Sequence, residues 1–330
     1  MARMLTQPKA FFNAPMFQGR GKTRRYFEGW YYKCLNADAT TAIAVIPGIA
    51  MDPTGNRHAF IQVLDGKRGT AVYHTFPAAA FQASHDRFEV RIDQHYFSAE
   101  KLQIDLPELQ ADLTFSGITP WPAPFYSPGI MGPFSFVPFM ECYHGIVSMD
   151  HSIRGEATLH DQSISFDGGR GYMEKDWGRS FPSAYIWMQS NHFENTGISL
   201  KASVAKIPWI GSSFVGFIAG LLIDKKLIRF TTYNFSQLKD AVAGTTDVHL
   251  HFSHPTYNLR IKAHRDHATE LAAPIHGFME GRIEESMTST LEVSLENRKT
   301  GGLIWSGTGR HAGLEVAGNI AEIARISTDK

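Results

Sequence analysis

Two stretches of the chain place carboxyl groups among aromatic rings at spacings that can support acid catalysis. In residues 26–33, Glu28 is set among Tyr26, Phe27, Trp30, Tyr31 and Tyr32, with Lys33 at the end. In residues 171–179, Glu174, Lys175 and Asp176 are flanked by Tyr172 and Trp177. A third stretch, residues 187–193, carries Trp187, Gln189, Asn191 and Phe193 at alternate positions. A carboxyl group removed from water beside apolar rings resists ionisation, so it can keep a proton near neutral pH and pass it on. Aromatic faces attract a cation by about 0.5–2 kcal/mol each. One protonated acid among Trp and Tyr rings is thus equipped to protonate an alkene and shelter the resulting carbocation. On this reading Glu174 or Glu28 is the acid, with Asp176 as alternate or modulator. Trp30, Tyr31, Lys33, Trp177 and Trp187 contact the substrate, and Gln189 and Asn191 orient its hydroxyl. The competing reading is structural: Glu28, Glu174, Lys175 and Asp176 form ion pairs that lock strand starts and the domain junction.

Other chemistries find less support. His249, His251 and His254 cluster on a predicted strand and its end, and His264 and His267 have i, i+3 spacing. No Cys pair or His-Glu-x-x-His pattern accompanies them, so no metal is expected. His144 and His151 flank residues 145–149, and His144, near Glu141 and Tyr143, is the one that could join a pocket. No Gly-x-Ser-x-Gly elbow exists. The glycine clusters at 168–171 and 307–310 match neither a phosphate loop nor a dinucleotide fingerprint, and read as turns or bulges.

The elements that must carry these residues are strands. Residues 42–46, 60–64, 88–92, 102–106 and 113–115 alternate or run apolar, as do 248–252, 259–262 and 291–295. Turn signals separate them, and no amphipathic helix exceeds about three turns. Many short strands predict an all-β fold of sandwiches or barrels. The halves also repeat: Trp187, Phe217 and Leu259 each stand 157 residues after Trp30, Phe60 and Leu102. Two tandem domains are therefore expected, at 1–165 and 166–330. Between the strand-rich halves, residues 119–140 hold six prolines interleaved with Trp121, Phe125, Tyr126, Phe134, Phe136 and Phe139. A flexible linker would be polar, so this stretch is expected to be an ordered flap against a barrel mouth or domain interface.

Composition narrows the partners. The 330 residues are 43% hydrophobic and 12% aromatic, with 32 basic and 32 acidic side chains. The balanced charge argues against a nucleic-acid binder, because phosphate affinity needs surplus Lys and Arg. Cys34 and Cys142 are too few for a disulfide scaffold and read as reduced, buried thiols of a cytoplasmic protein. The first residues lack the apolar run of a signal peptide. The longest apolar stretch, residues 214–223, is about half the ~20 residues of a spanning helix. No transmembrane segment is expected; peripheral membrane contact and oligomeric state stay open.

Residues 26–33 resemble the opening motif of the tocopherol cyclase family. Glu174, Lys175, Asp176, Trp177 and Gly178, with Phe181, Pro182, Trp187, Gln189, Asn191 and Phe193, resemble its central motif. Plant members carry Asn where this chain has Asp176, which adds a carboxyl here. The resemblance implies two tandem lipocalin-like antiparallel β-barrels and relatives acting on prenylated, isoprenoid molecules. It also implies chemistry without cofactor or metal: an alkene is protonated and a phenol oxygen traps the cation. The expectation is a cofactor-independent, cyclase-like isomerase (intramolecular lyase) for a hydrophobic prenylated substrate. The alternative is a non-catalytic lipocalin-like carrier of a hydrophobic small molecule.

Overall fold

The computed structural model describes residues 8–327; the leader expectation, which rests on the first seven residues, lies mostly outside them. The chain divides into two units. The first runs to Phe181 and includes Ala272–Arg282; the second holds Pro182–Leu271 and the chain from Ile283 onward. The expected boundary at 165/166 thus moves, because a central strand of the first sheet lies beyond it.

The first sheet is built from β1 (Tyr26–Leu35), β2 (Ala42–Met51), β3 (Arg57–Asp65), β4 (Thr70–Pro77), β5 (Phe81–Ala83), β6 (Glu89–Ile92), β7 (His95–Ser98), β8 (Lys101–Asp105), β9 (Leu109–Ser116), β10 (Cys142–Leu159), β11 (Gln162–Ser165) and β12 (Gly169–Gly178). Its order is β4-β3-β2-β1-β12-β10-β9-β8-β7-β6-β5, with β11 beside β10. The last strand in sequence therefore lies at the centre, hydrogen-bonded to the first. Trp30, Tyr32, Val45, Ile61, Val90, Phe97, Leu113 and Met173, drawn from strands across this sheet, join one core. A sheet whose distant strands share one core must curl around it.

The second sheet comprises β13 (Ala184–Ser190), β14 (Ser199–Trp209), β15 (Ser212–Ile223), β16 (Lys226–Thr231), β17 (Gln237–Ala243), β18 (Asp247–Ser253), β19 (Tyr257–His264), β20 (Ala268–Ile275), β21 (Phe278–Asn297), β22 (Leu303–Gly318) and β23 (Arg325–Ile326). Its order, β16-β15-β14-β13-β22-β21-β19-β18-β17-β23 with β20 beside β21, reproduces the first sheet's logic: a four-strand meander whose first strand pairs with the late long strand. Its core is aliphatic, with Ile186, Met188, Leu200, Val204, Leu221 and Leu314.

The repeat is thus present in topology, but the 157-residue anchors are not equivalent positions. Trp30 faces the first core, whereas Trp187 lies between core residues Ile186 and Met188 and faces away. Phe60 lies between core residues Ala59 and Ile61, while Phe217 is itself in the second core. Leu102 is on β8, two strands from β10; Leu259 is on β19, next to β21. An offset wrong by one residue inverts every side chain in a strand.

Aromatic rings occupy the interior of the first unit. Trp30 stacks on Phe88 with centroids 5.5 Å apart, and Tyr32 packs on Phe97 and Phe115. The stretch at 119–140 contains a turn of 3₁₀ helix at Gly132–Phe136. It buries Trp121, but Phe125, Tyr126, Phe136 and Phe139 remain exposed.

Candidate functional site

Period two on β1 and β12 sorts the candidate residues onto two faces. Antiparallel register sets Glu28 opposite Trp177, Trp30 opposite Lys175, and Tyr32 opposite Met173. These share the core face. Gly29, Tyr31 and Lys33 stand opposite Asp176, Glu174 and Tyr172, on the other face. Glu28 and Glu174 therefore do not converge.

On the core face, Glu28 and Lys175 form a fully buried ion pair at 2.5 Å. Gln18 N donates to both Glu28 oxygens, at 2.8 and 3.1 Å, and the Tyr26 hydroxyl donates to Oε2. Lys175 Nζ also donates to the carbonyls of Ala14 (2.8 Å) and Met16 (2.5 Å). It sits 4.7 Å from the ring centroids of both Trp30 and Trp177. The segment at residues 14–18 is thereby fastened over this end of the core, and Trp30 Nε1 binds Pro15 O at 2.8 Å. Four contacts from three donors take up the lone pairs of Glu28, and the protein's own ammonium stands where a substrate cation was expected to meet Trp30 and Trp177. This cluster has the geometry of a structural lock, the competing reading of the sequence.

The opposite face holds a different constellation. β10 pairs with β12 so that His144 is the cross-strand partner of Asp176 and Ile146 that of Glu174. The His144 ring spans the two acids: Nδ1 lies 2.7 Å from Asp176 Oδ1, and Nε2 lies 3.3 Å from Glu174 Oε2. The Tyr172 hydroxyl donates to Glu174 Oε2. Burial, then the adjacent Glu174, pushes the Tyr172 phenol well above its usual range, so it remains a donor. Cys142 Sγ lies 3.8 Å from Asp176 Oδ1, and burial followed by that carboxyl raises its thiol strongly. Cys142 is thus a poor nucleophile. Glu174 is 4% exposed and Tyr172 fully buried, whereas His144 and Asp176 are half-buried, so the acid lies at the sheltered end of the group.

In the second unit, Tyr185, Trp187 and Gln189 share the β13 face directed away from its core, joined by Lys201 and Ser203 on β14 and Glu315 on β22. Lys201 Nζ donates to Ser203 Oγ at 2.8 Å, and the Tyr185 hydroxyl donates to Glu315 at 2.7 Å. Glu285 is the cross-strand partner of Glu315. Gln189 and Asn191 are fully buried, their amides 3.5 Å apart. This face corresponds to that of Tyr31 and Glu174, away from the core, and not to that of Glu28 as the 157-residue alignment implied.

The sequence profile described as tocopherol cyclase-like matches residues 108–318. The chain belongs to the tocopherol cyclase-like family. The matched span contains β10, β12 and β13, hence His144, Glu174, Asp176 and Trp187, and begins after the motif at 26–33. Two solved structures share the fold of this tocopherol cyclase-like chain. CghA with Sch210972 has a TM-score of 0.54 and 12% identity, covering 89% of each chain. An AttH candidate from Nitrosomonas europaea has a TM-score of 0.50 and 13% identity, covering 88% of this chain and 92% of the other. The expected lipocalin-like, all-β architecture is thus shared with known structures. A search of curated proteins gives no match.

Sequence reasoning named Glu174 and Asp176 and flagged His144, but did not join them, because the join depends on β10–β12 register. It passed over Lys201, Glu285 and Glu315. Lys201 did carry a signal, a cation in the strand Ile198-Ser199-Leu200-Lys201-Ala202 whose alternate positions are apolar. His144, Glu174 and Asp176 have ligand atoms within 4.8 Å of one another, so a metal is sterically compatible with them. Both ring nitrogens of His144 are already directed at carboxyl groups.

Proposed function

We propose that this tocopherol cyclase-like protein is a cofactor-independent cyclase. It protonates an alkene of a hydrophobic, prenylated substrate and lets a substrate hydroxyl trap the cation. The observation that carries this reading is the bridging of Glu174 and Asp176 by the single ring of His144. Asp176 accepts from Nδ1–H, which fixes the tautomer and turns Nε2 toward Glu174. Glu174 gives its proton to the less substituted alkene carbon, leaving the cation on the more substituted one. The substrate hydroxyl oxygen adds to that cation, and its proton returns to Glu174 through the His144 relay. The step is redox-neutral, and every group ends as it began. Tyr172 steadies the carboxyl at the moment it becomes an anion. Tyr31, the cross-strand partner of Glu174, and Lys33 are the substrate-facing candidates on this face; Trp187, Gln189 and Asn191 are those of the second unit. Glu28, Trp30 and Trp177 are assigned to the structural lock.

The test is turnover of a panel of prenylated hydroquinones without added cofactor. Cyclised product from wild type, lost in Glu174→Gln with an unchanged circular dichroism spectrum, supports the reading. Equal turnover by the variant removes Glu174 from the role of acid. The carrier alternative calls for a hollow interior, and the ring stack of the first unit disfavours it there.

A further inference from the structure

Two turns of the second unit combine backbone strain with exposed apolar side chains. β14 and β15 are joined by the two-residue turn Ile210-Gly211, between the paired residues Trp209 and Ser212. Both turn residues have positive φ, 38° and 75°, the pattern of a type I′ hairpin, which favours Asn-Gly or Asp-Gly. A β-branched residue at positive φ is an outlier, and the Ile210 side chain is 78% exposed. Among the described residues, the other two-residue turns of this kind begin with His160, Asp224 and His276. In the loop after β16, Phe235 has φ 62° and is 90% exposed. Asn234 pins that loop through Thr231 N and Arg229 O, both at 2.9 Å.

The two turns lie at the same end of the sheet. Thr231 pairs with Ile218, and Thr232 N donates to Phe217 O, so the chain leaves β16 toward the β15 end that begins at Ser212. Trp209 and Phe214 flank the hairpin tip, ring to ring at 5.9 Å. Neither turn residue is explained by the fold, because each costs backbone strain and buries little. Features that break a local rule without structural gain mark functional positions.

We propose that Ile210 and Phe235 are the tips of a docking surface that inserts into a neutral phospholipid bilayer. Two loop tips of this kind cover on the order of 400 Å², well below the ~1,200 Å² of a stable protein interface. They are convex and need no shaped partner. A bilayer accepts apolar and aromatic tips at its interface without either requirement. Charge points the same way. Nearby Lys206 is paired with Glu322 at 2.8 Å; Lys239, hydrogen-bonded to the uncharged Gln237, keeps its charge, but one such cation falls short of the polybasic cluster that selects anionic lipid.

The test compares wild type with Ile210→Asn/Phe235→Asn, both replacements being at home at positive φ. The probe is sedimentation with vesicles of phosphatidylcholine. Wild type is expected to pellet with the vesicles at a level insensitive to added salt. The double variant is expected to partition at least tenfold less, with an equal or higher Tm because strain is relieved. Wild type remaining in the supernatant, or the variant pelleting equally, overturns the proposal. A fall in the variant's Tm overturns it too, since the fold would then need these side chains. A concentration-dependent dimer in light scattering that the double substitution abolishes would assign the tips to a second copy of the chain and overturn the bilayer.

Discussion

Glu28 and Glu174 lie on adjacent strands, β1 and β12, but on opposite faces of one sheet. Only three positions of register separate a carboxyl held by three donors from one that meets an imidazole and a phenol. Their substitutions should therefore part cleanly. Glu174→Gln should lower kcat by about 10²–10⁴-fold, the usual share of a general acid, with Tm nearly unchanged. Glu28→Gln should do the reverse. Thermal melts and turnover measured on the same preparations decide it; loss of activity without loss of stability in Glu28→Gln would contradict the assignment.

Lys175 offers a sharper stability test. Lys175→Met leaves the buried Glu28 carboxyl without its cation, which should destabilise by about 3–5 kcal/mol. Adding Glu28→Leu should restore much of that loss, because an apolar pair replaces an ionic one. Urea denaturation across the four-member cycle gives the coupling. Additive effects would mean that the pair is energetically idle.

The relay predicts a graded series at Asp176. Asp176→Asn retains an oxygen to accept from His144 Nδ1–H, and should keep kcat within about tenfold. Asp176→Ala frees the ring and should cost more, and His144→Phe breaks the relay altogether and should cost at least about 10²-fold. Steady-state kinetics with fixed substrate read the order directly.

His151 should give the first unit an acid-sensitive stability. The ring is 3% exposed, and burial, then Arg170, lowers it to about 3 from an ordinary value near 6.5. Below pH 6.5 the unfolded chain takes up a proton that the folded chain refuses. Stability should thus fall between pH 6.5 and pH 3, on the order of 1 kcal/mol per pH unit from this group, and level off below. His151→Phe should flatten that slope in denaturation midpoints taken at pH 7 and pH 4.5.

Burial raises the Cys34 thiol to about 12, and Cys142 is raised too. Neither should react with an alkylating reagent at pH 8 until the chain is unfolded, and Cys142→Ala should retain turnover. Mass spectrometry of native and denatured samples counts the modified thiols.

Much of this was written in local patterns. Period two alone separates Glu28, Trp30, Tyr32 and Cys34 from Tyr31 and Lys33, as the register does. What local pattern cannot encode is which strand lies alongside. Placing His144 against Asp176 requires knowing that β10 borders β12, a pairing of residues 32 apart. The identity of Lys175's partners was hidden for the same reason, since Ala14 and Met16 contribute only backbone carbonyls, and a carbonyl leaves no mark in a sequence. The repeat was legible as composition, but not its phase, because a one-residue slip still matches apolar to apolar.

The central placement of β12 also bears on how the protein comes into being. β1 emerges early from the ribosome but must wait for residues 169–178, 143 positions later (169 − 26), before its second edge is satisfied. Until then, two incomplete half-sheets carry an unpaired border each. No nascent fragment that stops short of Gly178 can close the first unit, so its assembly is bound to be late, cooperative and slow, and that exposed seam is where a stalled chain would be most prone to aggregate.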